Sequence, residues 1–237
     1  MGVGLLLFIS CTLYAQPPTP EWIYTYNSVD SVFGSLYDEA TSLVVDPSGN
    51  FYAAGLTDNL DNDMFFTVIK INPNGDQEWI YTYGDSTTRN RADDILYDPT
   101  GFVYAAGLTE NPGTDWDFTV VKLDTLGTQE WVFTYNGPGN YRDAATSLAL
   151  DPSGNVYAAG FSSGVGTSFD ITVIKLMPGG TLGWIYTYNG PGNGIDNALD
   201  ILYDPSGKIY VAGFSMQSSW DMTVVRHKRN GRVDLFL

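Results

Sequence analysis

Asp46-Pro-Ser-Gly-Asn-Phe-Tyr-Ala-Ala-Gly55 returns three times, as Asp98-Pro-Thr-Gly-Phe-Val-Tyr-Ala-Ala-Gly107, Asp151-Pro-Ser-Gly-Asn-Val-Tyr-Ala-Ala-Gly160 and Asp204-Pro-Ser-Gly-Lys-Ile-Tyr-Val-Ala-Gly213. Blocks of this length do not recur in step by chance, so the chain is four copies of one unit. A second block keeps the same step: Glu21-Trp-Ile-Tyr-Thr-Tyr26, Glu78-Trp-Ile-Tyr-Thr-Tyr83, Glu130-Trp-Val-Phe-Thr-Tyr135 and Gly183-Trp-Ile-Tyr-Thr-Tyr188. Trp22, Trp79, Trp131 and Trp184 stand 57, 52 and 53 residues apart.

Each copy holds four strand candidates and no helical periodicity. Ala40-Thr-Ser-Leu-Val-Val45 is the first, entered after a polar residue that recurs as Asp38, Asn90, Asp143 and Asp196. Asp46-Pro-Ser-Gly-Asn50 then reverses the chain: Pro47 presets the first corner, Gly49 takes a positive φ, and Asp46 bonds the turn amides. Phe51 to Gly55 is the second strand, whose small residues suit a face that another sheet approaches closely. Phe66 to Ile71, rich in β-branched residues, is the third, and Trp22 to Tyr26 with its equivalents is the fourth. Four strands per copy is the content of one propeller blade, so the expected fold is all-β: a β-propeller of four four-stranded blades of about 53 residues, or half or a fragment of a larger propeller. The domain plan is a signal peptide over 1–15, a Pro-rich linker over 16–20, and repeats near 21–77, 78–129, 130–182 and 183–237.

The block Asp38-Glu-Ala-Thr-Ser-Leu-Val-Val-Asp-Pro-Ser-Gly-Asn-Phe-Tyr-Ala-Ala-Gly-Leu-Thr57, similar in all four copies, resembles the β-propeller repeats called SBBP repeats. That resemblance implies an exported, mostly prokaryotic propeller repeat with no fixed activity and no catalytic residues to transfer. Gly75-Asp-Gln-Glu-Trp-Ile-Tyr81 is more weakly similar to quinoprotein dehydrogenase blades, which wrap their cofactor in about eight blades. The family name refers to a seven-bladed propeller, and this chain has four blades. If the Ala40 strand is innermost, the chain starts with an outer strand, Glu21 to Tyr26, which could complete the last blade and remove an exposed sheet edge. Val233-Asp-Leu-Phe-Leu237 falls in register for the same slot without its Trp and Tyr. It reads as a degenerate or truncated last repeat; the basic run Arg226-His-Lys-Arg229 with Arg232 is alternatively a patch that docks to an acidic neighbour.

The 27 acidic against 11 basic residues leave a formal charge of -16, which disfavours nucleic acid and anionic lipid as partners. Val3 to Ile9 is apolar but too short to span a bilayer, and with Ala15 before Gln16-Pro17-Pro18 it reads as a signal peptide. Secretion, the periplasm or the cell surface is the expected location. Cys11, the one cysteine, lies inside that segment, after Phe8-Ile9-Ser10 in a loose likeness to a lipoprotein signal. The remaining chain therefore has no disulfide to rely on.

Chemistry is sparse. One histidine, His227, excludes a multi-histidine metal site and leaves a His-based triad without a setting. Asp46, Asp98, Asp151 and Asp204 recur once per copy, as structural residues do, and Asp117, Asp170 and Asp221 read as strand-entry residues. Asp58-Asn-Leu-Asp-Asn-Asp63 loosely resembles a calcium loop but lacks its Gly and closing Glu. The loops Gly137-Pro-Gly-Asn140 and Gly190-Pro-Gly-Asn193 open no helix and cradle no phosphate. What breaks the repeat is a short set: Trp116 and Trp220 in the loops before the third strand, and Arg89, Arg91 and Arg142 in loops before the innermost strands. These are the candidate binding residues. No catalytic residue, metal or cofactor is expected. The leading reading is a non-enzymatic scaffold or binding module for a protein or glycan, with self-association into a larger propeller as a further option. The alternatives are a propeller hydrolase or lyase acting on polysaccharide, or a fragment of a longer propeller protein.

Overall fold

The computed structural model describes residues 21–27, 37–59, 63–84, 89–228 and 233–236. The segments expected to be a signal peptide and linker, Arg229, Arg232 and the middle of the Asp58–Asp63 loop lie outside these residues. Among the described residues sixteen strands form four antiparallel sheets: β1 (Glu39–Val45) to β4 (Gln77–Tyr83), with β2 (Phe51–Asp58) and β3 (Met64–Ile71) between them; β5 (Arg91–Asp98), β6 (Phe102–Asn111), β7 (Asp115–Asp124) and β8 (Gln129–Tyr135); β9 (Ala144–Leu150), β10 (Val156–Ser163), β11 (Phe169–Leu176) and β12 (Leu182–Tyr188); β13 (Asp196–Tyr203), β14 (Lys208–Met216), β15 (Trp220–Lys228) and β16 (Val233–Phe236). Every strand pairs with its sequence neighbour, as four meandering propeller blades require. The innermost strands β1, β5, β9 and β13 meet in succession, which sets the blades as an arc, and the first and last sheets are not closed on each other.

The turn after each innermost strand forms as its composition dictates. Asp46 accepts from the Ser48 and Asn50 amides (both 2.9 Å), from Asn50 Nδ2 (2.8 Å) and from Tyr52 OH (3.2 Å). Asp151 repeats the set with Ser153, Asn155 and Tyr157. Gly49, Gly101, Gly154 and Gly207 take φ of 83°, 99°, 76° and 83°, a region that side chains disfavour. Burial raises the pKa of the Asp46 and Asp151 carboxyls, but these donated bonds outweigh it and hold both below the usual range.

Blade packing follows from strand alternation. In one direction a blade offers Tyr104, Ala106, Phe118 and Val120; in the other, the next blade offers Ala145, Leu148, Val156, Ala158, Ile174 and Leu176, all buried. The junctions before and after repeat this scheme, with Tyr52, Ala54, Phe66 and Val68 at the first and Tyr157, Ala159, Ile171 and Val173 at the third. Trp79 and Trp131 brace successive outer rims, donating to Thr125 O (3.0 Å) and Pro178 O (3.1 Å) of the next blade and resting on Gly127 and Gly180.

Two features depart from the sequence reading. Each innermost strand carries a β-bulge, at Thr41, Asp93, Thr146 and Leu199. The bulge presses the strand against the glycine that ends each Tyr-Ala-Ala-Gly or Tyr-Val-Ala-Gly block. A Cβ on Gly55, Gly107, Gly160 or Gly213 would fall 1.8 to 2.0 Å from a carbonyl oxygen. The second concerns the ends. Glu21 to Tyr26 does not complete the last blade. That slot holds β16, which pairs with β15 in the register Val224 with Phe236 and His227 with Val233. Glu21 to Tyr26 lies instead along the first blade, with Trp22 Nε1 donating to Pro73 O (3.1 Å) and its ring on Gly75. Trp22 therefore stands to the first blade as Trp79 stands to the second.

Candidate functional site

Recurring polar residues are occupied by structure. Asp143 is fully buried ahead of β9; its two carboxylate oxygens accept from the Gly137 amide (2.6 Å) and the Ser163 amide (2.8 Å). At the equivalent positions Asn90 Oδ1 accepts from Glu110 N while its Nδ2 donates to Met64 O, and Asp196 accepts from Gly190 N. Burial pushes the Asp143 carboxyl up to about 6, against the lowering effect of those two amides and with help from the charge of Asp117. Asp117 accepts from Asn111 Nδ2 (2.7 Å) and Thr114 Oγ1 (3.2 Å), and Asp170 from Thr167 Oγ1 (3.0 Å), so both tie off the turn before their strand. Among the described residues no group of three acid, histidine or cysteine side chains is arranged to hold a metal ion.

The off-pattern residues sit differently from the expectation, and two of them converge. Trp116 and Trp220 are not in loops: they lie on β7 and β15. The turn at Pro112–Thr114, with Gly113 at φ 93° and Asp115 at φ 62°, is tight enough for β6 and β7 to keep pairing from Glu110 to Trp116 and from Asn111 to Asp115. Arg91 likewise opens β5, ion-paired through Nε to Asp93 Oδ1 at 2.6 Å, and Arg89 forms a parallel bridge with Met64 while its amide donates to Glu110. Arg89 stays outside the strands in the loop before β5, and Arg142 stays in the loop before β9.

That position carries Arg142 over the ring of Trp116, guanidinium carbon 4.3 Å from the ring centre, and to 5.1 Å from the Tyr141 ring. Its Nε reaches Asp115 Oδ2 at 3.4 Å. Asp143 N donates to Trp116 O (2.7 Å) and Asn140 Nδ2 to Gly113 O (3.2 Å), so the loop of the third blade is fastened to the turn of the second. Trp116 and Arg142 are half-buried and Tyr141 exposed, making a flat aromatic and cationic shelf over the second junction. Tyr141 and Asp115 were not among the sequence candidates. A comparison of copies carries the signal: Gly137-Pro-Gly-Asn-Tyr-Arg-Asp143 stands against Gly190-Pro-Gly-Asn-Gly-Ile-Asp196, the same loop with Gly194 and Ile195 in place of Tyr141 and Arg142. Trp220, 61% exposed, packs edge-on against Phe214 at 4.8 Å in the last blade, away from this shelf. A hollow of about 280 Å³ is lined by Tyr83, Gly84, Glu110 and Asn111, and the Glu110 carboxylate accepts from the Arg89 amide.

No family model matches the chain, and a comparison with curated proteins finds no match. Solved structures do resemble it. The Penicillium chrysogenum α-L-arabinanase, solved with arabinobiose, aligns over 85% of this chain and 66% of its own at 10% identity with a TM-score of 0.51. The β-propeller domain of the Trilobed protease from Pyrococcus furiosus, described as having an open velcro topology, aligns over 85% of this chain and 57% of its own at 10% identity, TM-score 0.50. A GH43 endo-arabinanase from Bacillus licheniformis aligns over 81% and 75% at 14% identity, TM-score 0.47. At these identities the likeness is one of fold. The chain is an all-β propeller-type assembly of four four-stranded blades, and it spans 57% to 66% of the two structures with the higher scores.

Proposed function

We propose that the chain is an exported, non-enzymatic propeller module of the SBBP-repeat kind that binds a glycan on the Trp116–Tyr141–Arg142 shelf. One observation supports this reading above the others: of the residues that break the repeat, two lie together with Tyr141 on a single exposed surface. The recurring carboxylates Asp46, Asp151, Asp117 and Asp170 are spent in turns, and Asp94 and Asp200 bond hydroxyls of the neighbouring blade. A sugar ring presents an apolar C–H face and a rim of hydroxyls. Trp116 and Tyr141 suit the face, while Arg142 and Asp115 supply donors and an acceptor for the rim. The charge of -16 argues for a neutral glycan over a polyanionic one.

The test is titration of the purified protein with neutral oligosaccharides, read by tryptophan fluorescence and calorimetry. Trp116→Ala is expected to weaken binding about tenfold, the loss of about 1.4 kcal/mol of stacking, and Trp220→Ala to leave it unchanged. Equal effects of the two would remove the shelf from the argument. Release of new reducing ends from polysaccharide would replace the binding module by the hydrolase or lyase alternative.

A further inference from the structure

The two ends of the arc expose opposite halves of the same junction. On the last blade, Tyr210, Ala212, Met222 and Val224 occupy the positions of Tyr104, Ala106, Phe118 and Val120, yet Met222 is 90% exposed and Val224 is exposed, together with Leu202 at 60%. On the first blade, Ala40, Leu43, Phe51 and Ala53 occupy the positions of Ala145, Leu148, Val156 and Ala158, and Leu43 is 68% exposed. A hollow of about 260 Å³ runs along this face, between it and Tyr24 to Tyr26. Apolar faces of this extent are not left to water in a stable assembly.

We infer that the occupant is a second copy of this chain, related by a two-fold axis, so that the last blade of each copy packs on the first blade of the other and two arcs close one eight-bladed ring. Such a junction continues those the chain already makes between its own blades. The copies alternate: Thr-Ser at 41–42 and 146–147 faces Asp94 and Asp200, with Ser42 Oγ 3.0 Å from Asp94 Oδ1 and Ser147 Oγ 3.3 Å from Asp200 Oδ1. Tyr97 and Tyr203 stack on Tyr52 and Tyr157 at 5.9 and 5.8 Å. The new junction therefore corresponds to the one between the second and third blades, where Asp94 Oδ2 accepts from the Leu148 amide at 2.8 Å. Asp200 and Leu43 hold the matching positions, one on each exposed face.

The outer rim is already prepared. Trp22 sits on Gly75 and donates to Pro73 O, and Tyr24 OH bonds Gln77, just as Tyr81 OH bonds Gln129 one blade on. Glu21 to Tyr26 thus occupies the place of the outer strand of a preceding blade. In the ring it pairs with β15 of the partner, displacing the four-residue β16, which has Asp234 in the register position of the tryptophan.

Light scattering on the purified chain, with the single-face variants Leu43→Arg and Leu202→Arg, tests this. Both positions are exposed, so neither substitution threatens the fold of a single arc. The wild type is expected at twice the chain mass of 26.0 kDa. Each variant alone is expected at the monomer mass, and an equimolar mixture is expected to recover dimer, because one sound junction remains between unlike copies. A wild-type monomer would mean that the arc closes on itself or takes another partner, and would overturn the inference. So would dimers that survive either substitution alone, which signal a like-to-like interface, or open chains of growing mass. Trp22→Ala is expected to raise the dissociation constant at least tenfold, and an unchanged constant would remove Glu21 to Tyr26 from the junction.

Discussion

Gly160→Ala tests the bulge that shapes every innermost strand. Gly160 pairs with Ala145 while its neighbour Ala159 pairs with Ser147, leaving Thr146 as the bulged residue. A methyl group on Gly160 would stand 2.0 Å from Ala144 O and 3.0 Å from Ala145 Cα, both backbone atoms of β9. No side-chain rotation relieves such an overlap, so β9 has to move. Moving it breaks the bonds from Thr146 Oγ1 to Ala198 O (2.7 Å) and Ala159 O (3.1 Å), and strains the Leu148 amide bond to Asp94. Overpacking of about 3 kcal/mol together with one or two hydrogen bonds at about 1 kcal/mol each gives a loss of about 4–5 kcal/mol. For a chain of this length that lowers Tm by about 8–20 °C. Urea unfolding followed by tryptophan fluorescence and a calorimetric melt measure it. Gly179→Ala is the control, since a Cβ there meets no atom within 4 Å and its φ is not left-handed; it should change stability by less than about 1 kcal/mol. If Gly160→Ala unfolds at the same urea concentration as Gly179→Ala, the close approach of β9 to β10 is not part of the fold.

Two further outcomes follow from single groups. The folded Asp143 carboxyl titrates near 6, above its unfolded value, so its contribution to stability is fully present below about pH 4 and is lost as pH rises through about 6. Asp170 and Asp196, raised chiefly by burial, act with the same sign, while Asp46 and Asp151, lowered, act oppositely at more acid pH. Asp143→Asn should flatten the slope of stability against pH between about 4 and 6, and an unaltered slope would assign it to other carboxyls. Thr146→Val keeps the shape but removes the hydroxyl that reaches Ala198 O across the third junction, and should cost about 1–2 kcal/mol in a urea melt. No measurable cost would mean that the carbonyl finds water.

How much of this was legible in sequence depends on the range of the physics involved. The turn at Asp46 is local: proline, glycine and an acceptor within five residues determine it, and all four copies announce it. Blade count and strand order follow from repetition. The bulge at Thr41 and its equivalents was not legible, because no residue type marks it: Thr41 and Thr146 bulge with a hydroxyl bonded to a carbonyl of the next blade, whereas Asp93 and Leu199 bulge without one. The glycine opposite it was visible only as a small residue. The competition for the outer slot of the last blade was visible, since both ends match it in register. Its outcome was not, because pairing of β16 with β15 depends on geometry at the ends of the arc. At the shelf, Trp116 and Arg142 stood out by breaking the repeat, while their meeting depends on Asp143 N bonding Trp116 O between blades.

The alternation of copies carries the argument one step beyond a plain fourfold repeat. Thr41 and Ser42 reach Ala92 O and Asp94, and Thr146 and Ser147 reach Ala198 O and Asp200, but Asp93 and Asp94 send no equivalent hydroxyl to the third blade. There Asp94 instead takes the Leu148 amide. The chain therefore has two kinds of junction in alternation, and its smallest closed unit is a pair of blades. A ring that satisfies every face must contain an even number of blades. An odd ring would set two like copies side by side, either Thr-Ser against Thr-Ser or carboxylate against carboxylate, and the second pairing puts Asp94-type charges next to each other. An even ring built from copies of these four blades has four, eight or more, and the exposed Leu43 and Met222 faces of the open arc weigh against four.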